Sequence, residues 1–136
     1  MGIQRQMKMS TGEKRLAESS IVDRVDGISV LLSKISEKEF RQQVLDLARL
    51  FKWRCYFTWN SIHSPAGFPD LVMARRHDIG TVCIEYETRL IVAELKRQGG
   101  IVTPGQQEWL DFFKGIDAET YIWRPSDWDQ VQKVLR

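Results

Sequence analysis

Residues 90–96 read LIVAELK: four apolar residues, two of them β-branched, followed by glutamate, leucine and lysine. A run this apolar and β-branched predicts a strand covered on both faces. Side chains two apart on a strand share a face, so Glu94 and Lys96 point one way and Leu95 the other. Taking either charge out of water alone costs several kcal/mol, so the two must pair, hold an ion or face a cleft. A second strand-like run, DLVMA at 70–74, opens with an acid directly after Gly67-Phe68-Pro69. If the two strands lie side by side, Asp70 and Glu94 meet at adjoining ends, where two carboxylates repel each other unless a cation sits between them. A hard divalent ion suits that place, because Mg²⁺ often takes only one or two carboxylates and completes its shell with water and phosphate oxygens. Such an ion polarises a phosphoryl oxygen and acidifies bound water. Lys96 would then orient the water or offset charge building on the phosphate. A plain ion pair at an exposed strand end is the alternative for Glu94 and Lys96.

The 136 residues suffice for one domain around one core. Net charge is only +2, and it is unevenly spread: residues 1–35 carry six Lys/Arg against four Asp/Glu, the remainder fourteen against fourteen. Nucleic-acid binding therefore requires that basic residues be sorted onto one face. Cys55, Cys83, His63 and His77 have neither metal-ligand nor disulfide spacing, which suits a reducing cytoplasm. The opening MGIQRQMKMS lacks the apolar stretch of a signal peptide, and Gln6 stands where a myristoylation signal needs Ser or Thr. No apolar run approaches the ~18–20 residues of a membrane span. The expectation is a cytoplasmic protein without membrane contact.

Residues 1–20 are polar and are expected to form a mobile tail. Ile21, Val22, Val25, Ile28, Leu31, Leu32 and Ile35 recur at helical spacing and predict an accessory helix or dimer element, weakened at Gly27. Ser36 and Glu39 form a capping-box pattern ahead of the stripe Phe40, Val44, Leu47, Ala48 and Phe51, so a helix starts there. The spacing then predicts a strand over 53–59, a loop to Pro69, the strand at 70–74, a turn over RRHDIG (75–80), a further strand over TVCIEYE (81–87) and the strand at 90–96. A glycine-bearing loop leads to a helix opening at Thr103-Pro104 and closing at Gly115, then to strand ETYIW and a last helix capped by Ser126 or Asp127. Trp109, Phe112 and Phe113 are expected in the core. Helices flanking a mixed sheet in two or three layers define an α/β domain.

An acid at a strand start followed by acid-x-lysine in the next strand is the signature of the PD-(D/E)XK nuclease superfamily, and Pro69-Asp70 with Glu94-Leu95-Lys96 match it. Together with GFPDLV, LIVAELK, TPGQQEWL and ETYIWRPSDWDQV, residues 36–136 resemble the virus-type replication-repair nuclease (VRR-NUC) family; residues 1–35, a tail or accessory helix, fall outside the resemblance. The resemblance implies a restriction-endonuclease-like core and an Mg²⁺- or Mn²⁺-dependent endonuclease acting on DNA phosphodiesters. It implies selectivity for branched substrates, four-way (Holliday) junctions above all, and a homodimer matched to junction symmetry. Asp70 and Glu94 are the implied metal ligands with the Leu95 carbonyl, Lys96 the catalytic lysine, and Gln106, rather than Gln107, the glutamine that follows the strand. Glu37 is the implied first-helix acid, sharing a face with Phe40 and Val44; Glu39 is the alternative, though the capping box accounts for it. Both acids are equally read as ordinary helix N-terminal residues. Ser64, Arg75, Arg76 and Arg97, with Lys52 and Arg54, are expected DNA backbone contacts; His63, in the same loop as Ser64, is a further candidate for touching a phosphate, and either Thr58 or Trp59 is expected to line the cleft. A general or nicking endonuclease of the superfamily, or a DNA-binding module without turnover, are the rival readings. The connection from Asp70 to Glu94 departs from the pattern in being longer than a tight hairpin needs.

Overall fold

The computed structural model describes residues 10–58, 62, 64–80 and 86–136. The chain divides after Lys34 into two compact units. The described part of the first is a single helix, α1 (Thr11–Ser33). It starts ten residues before the helix expected from the apolar spacing, so the expected mobile tail is corrected over residues 11–20; residues 1–9 lie outside the described residues. The cause is a capping box at Ser10: its Oγ accepts from the Glu13 N–H at 3.3 Å, and Glu13 accepts from the Ser10 N–H at 2.7 Å. Gly27 is carried inside the helix at a cost of about 1 kcal/mol.

The second unit runs α2 (Glu37–Leu50), β1 (Arg54–Phe57), β2 (Leu71–Asp78), β3 (Tyr86–Leu95), α3 (Pro104–Lys114), β4 (Glu119–Trp123), a 3-10 turn (Pro125–Asp127) and α4 (Trp128–Leu135). The four strands form one mixed sheet in the order β1-β2-β3-β4, the first three antiparallel and β4 parallel to β3. Helices cover both faces. On one, Phe40, Val44 and Ala48 of α2 and Val131 and Leu135 of α4 bury against Leu71, Met73, Ile91, Ala93, Leu95 and Trp123. On the other, Leu110 and Phe113 of α3 pack on Val72, Leu90, Val92 and Ile122. Each fully buried aliphatic side chain contributes roughly 1.5–3 kcal/mol. The α/β class with a mixed sheet and flanking helices is as expected.

Three local expectations change. The turn at 75–80 is instead strand as far as Asp78, paired Arg75 to Arg89, Arg76 to Thr88, His77 to Glu87 and Asp78 to Tyr86. The outer half of the hairpin lies beyond the helices, so polar residues suit both its faces. For the same reason residues 86–95 are one strand rather than parts of two; residues 81–85, with Cys83, lie outside the described residues. Phe112 is 64% exposed, not core, because α3 turns Leu110 and Phe113 to the sheet and leaves Phe112 on its outer side.

Arg75 has a structural placement that its sequence position did not announce. Its Nη1 donates to the main-chain oxygens of Phe51 at 3.4 Å and of Leu135 and Arg136 at 3.0 Å each. Its guanidinium lies 4.6 Å from the Trp53 ring centroid, and the Trp53 indole N–H itself donates to Leu135 O at 2.8 Å. One side chain on β2 thus ties the ends of α2 and α4 to the sheet. Arg75→Ala is expected to lower the free energy of unfolding by about 2–3 kcal/mol, the loss of charge-assisted bonds and a stacked cation. A denaturant midpoint unchanged from that of the parent protein would refute this clamp.

Candidate active site

The register pairs Leu71 with Ala93, which brings the start of β2 against the end of β3. Asp70, one residue before the first strand, and Glu94, near the end of the second, are therefore neighbours across adjoining strands. Asp70 is fixed from both sides: its Oδ2 accepts from the Leu95 N–H at 3.0 Å, and its carbonyl accepts from the Thr58 N–H at 3.1 Å. The loop delivering it is pinned at Gly67, which has φ +86°, and where any Cβ would come within 2.8 Å of the Gly105 carbonyl carbon. Phe68 adds ring contacts to Trp109 and Phe113 at centroid distances of 5.1 and 6.1 Å. The loop carrying Asp70 is thereby seated on the first turn of α3, where only glycine permits so close an approach.

Glu94 is 1% exposed and faces α3. Its Oε1 accepts from Lys96 Nζ at 2.8 Å and from Gln106 Nε2. Its Oε2 is buried and has no hydrogen-bond partner among the described residues. Leaving a buried charged acceptor unpaired costs a few kcal/mol, so the arrangement suits a ligand. Gln106 is the third helical residue of α3, and its Oε1 accepts from the Thr103 N–H at 2.9 Å as part of a capping box. Lys96 stands just beyond β3 and is held by its N–H, which donates to Trp123 O at 3.0 Å.

Burial is the first cause that lifts the Glu94 carboxyl, to about 7; the Lys96 hydrogen bond opposes it and the charge of Asp70 adds to it. Asp70 is likewise raised, first by burial, against the Leu95 N–H and the charges of Lys96 and Arg41. Two acids and a lysine in one partly dry site thus hold each other in balance.

The other expected residues divide. Glu37 is brought to the site's edge: its Oε1 accepts from the Arg97 N–H at 3.3 Å, and its charge acts on Asp70. Glu39 closes the Ser36 capping box and stays at the start of α2. Leu95 is buried and supplies its N–H to Asp70. Arg97 is exposed beside Lys96, while Ser64 is half-buried in the loop before Pro65. Arg76 is exposed on β2 with its guanidinium 4.9 Å from the Tyr86 ring centroid, away from the acids; Arg75 is engaged as described. Gln107 is exposed and donates to Asp111 at 2.9 Å. Trp59 and His63 lie outside the described residues. Arg41 was not singled out from the sequence. It follows Glu37 by one turn of α2, its charge acts on Asp70, and its guanidinium is 5.8 Å from the Phe57 ring centroid. The only sequence signal was the i,i+4 spacing of Glu37 and Arg41, which reads equally as a surface helix pair.

Among the described residues, no group of three or more His, Cys, Asp and Glu side chains is placed to hold a metal ion. An ion here would rest on the Asp70 and Glu94 carboxylates, with water and phosphate oxygens completing its shell, as Mg²⁺ commonly does. The unpartnered, buried Oε2 of Glu94 and the all-oxygen donor pair fit such an ion. Comparison of the chain with models of known protein families found no match, and none was found among curated proteins or solved structures.

Proposed function

We propose that this chain is a divalent-metal-dependent, structure-selective DNA endonuclease, a Holliday junction resolvase in the manner of the virus-type replication-repair nucleases. The observation that carries the reading is the meeting of Asp70, Glu94 and Lys96, separated by up to 26 positions in the chain, at adjoining strand ends with Gln106 against them. The element order of the second unit, helix, three antiparallel strands, helix and a parallel fourth strand, supports a restriction-endonuclease-like core. Among the described residues no helix is long and apolar enough to cross a membrane, and the proposed setting is intracellular.

The reaction is hydrolysis: a water oxygen bonds to phosphorus and one P–O ester bond breaks. Bound Mg²⁺ or Mn²⁺ would supply charge to the phosphoryl oxygens and acidify water. The chain's own part is positional and electrostatic. Asp70 and Glu94 are the residues that would hold the cation, and the Leu95 N–H keeps the Asp70 carboxylate aimed. Lys96 places a positive charge where the phosphorane oxygens gain negative charge. Gln106 orients Glu94, and Glu37 and Arg41 set the charge around Asp70 from α2. A four-way junction has two-fold symmetry, which two copies of this chain would match, each cutting one strand. Reading branch shape needs only backbone contacts.

The test compares a synthetic four-way junction with a linear duplex of the same sequence, with and without Mg²⁺. Paired symmetric cuts in the junction, dependent on Mg²⁺ and absent from the duplex, are expected. Equal cutting of both substrates would remove the structure selectivity, and tight binding without cutting would make the chain a DNA-binding module.

A further inference from the structure

Among the described residues of the second unit, the outer part of one sheet face is covered by no helix. Residues Val72, Leu90, Val92 and Ile122 of that face are covered by α3. Arg54 and Ala74 are paired in register, as are Ala74 with Leu90 and Arg76 with Thr88, so Arg54, Ala74, Arg76 and Thr88 continue the same face beyond the helix. A concavity of about 470 Å³ lies there, lined by Lys52, Arg54, Ala74, Arg75, Arg76 and Thr88. Four of its six lining residues are Lys or Arg and none is an acid, in a unit whose charges balance overall at fourteen Lys/Arg against fourteen Asp/Glu. Lys52, Arg54 and Arg76 make no ion pair among the described residues. The nearest acid along β2 on this face, Asp78, accepts from the Gly80 N–H at 3.1 Å.

Two further details shape the concavity. Lys52 occupies the left-handed turn that closes α2, with φ +64°. The Trp53 N–H to Ala48 O and Lys52 N–H to Arg49 O bonds complete a Schellman motif there, a position that favours glycine and costs a lysine about 1 kcal/mol. Aromatic rings lie alongside: Tyr56 on the same face is 63% exposed, and Tyr86 stacks under the Arg76 guanidinium at 4.9 Å.

We propose that this concavity is a second, non-catalytic subsite that binds the phosphate backbone of a DNA arm leading away from the cut. It deepens the nuclease reading, on which its purpose rests. Glu94 lies on the same face, six residues along β3 from Thr88, or ~20 Å at ~3.3 Å per residue. At ~3.4 Å per base pair that is about six base pairs of duplex. Unpaired arginines recognise phosphate oxygens in a bidentate way. Arg75 lines the wall, but its charged guanidinium is engaged with the ends of α2 and α4 on the opposite sheet face. A free small anion is the competing occupant.

The test uses the full chain, a 30-base-pair duplex and the four-way junction, without divalent metal, over a salt series read by fluorescence anisotropy. Arg54→Gln/Arg76→Gln is expected to lower the slope of log K against log salt by about 2, near 0.9 per lost phosphate contact, with melting temperature unchanged. Arg54→Lys/Arg76→Lys is expected to keep the slope. An unchanged slope in the glutamine variant overturns the subsite, and so does full displacement of DNA by millimolar inorganic phosphate through these same residues. The two readings fail separately. Cutting by a protein whose slope does not depend on Arg54 and Arg76 keeps the nuclease and loses the subsite. A slope that depends on them in a protein that never cuts keeps the subsite and loses the nuclease.

Discussion

Asp70→Asn is expected to melt higher than the parent protein and to cut DNA at least about a thousandfold more slowly. The structural half follows from the contacts. An asparagine can still accept the Leu95 N–H through its Oδ1, and its main-chain bond to Thr58 is untouched. What disappears is a charge that burial already disfavours and that in turn raises the neighbouring Glu94. The functional half follows from the same loss, since a neutral amide is a poor ligand for a hard cation, and a thousandfold is about 4 kcal/mol of transition-state stabilisation. Thermal melting and single-turnover cleavage of a four-way junction, made on one preparation, check both. Retention of more than a tenth of the activity would remove Asp70 from the site. A large fall in melting temperature would mean that its charge is structural.

Stability of the metal-free protein is expected to fall as pH rises from 5 to 8, opposite to the common acid-denaturation trend. The sign is set by Glu94. Its folded value, raised from 4.5 to about 7 by burial, exceeds that of the unfolded chain, so the folded state holds the proton more tightly between those values. That contribution is full below about 4.5 and is lost as pH passes about 7; at 1.36 kcal/mol per unit it amounts to about 3 kcal/mol. Asp70, raised for the same first reason, works in the same direction. Saturating Mg²⁺ is expected to flatten or reverse the slope, because the ion binds the ionised acids. Glu94→Gln is expected to abolish most of it. Denaturant midpoints at pH 5.5 and 8.0, with and without Mg²⁺, supply the measurement, and a parent protein more stable at pH 8.0 without metal contradicts the assignment.

Much of this site was legible because strand geometry has a period of two. A charge at 94 and another at 96 inside LIVAELK had to share a face, and Pro69-Asp70 ahead of a strand-forming run had to sit at a strand mouth. Gln106 was legible by position, but not its bond to Glu94, which depends on how closely α3 approaches the sheet. Arg75 and Arg41 were not legible. An arginine's partners along a long, flexible stem are decided by residues far away in the chain, here 51 and 135 for Arg75 and 70 for Arg41. The outer half of the β2–β3 hairpin escaped because RRHD carries no alternation of apolar and polar residues, and pairing alone sustains it. The start of α1 escaped differently: Ser10 and Glu13 have the same spacing as Ser36 and Glu39, but the TGEKRLAESS that follows shows no apolar stripe at helical spacing.

One amide at position 106 serves two masters. Its oxygen closes the first turn of α3 and its nitrogen restrains the acid on β3. Glutamate would cap the helix as well as glutamine does, yet it would set a third negative charge against Glu94 and offer it no hydrogen. Asparagine, shorter by one methylene, would forfeit one bond or the other. Helix initiation and the placement of Glu94 therefore cannot drift apart in this chain, and whatever shifts Glu94, a proton or an ion, is felt at once where α3 begins.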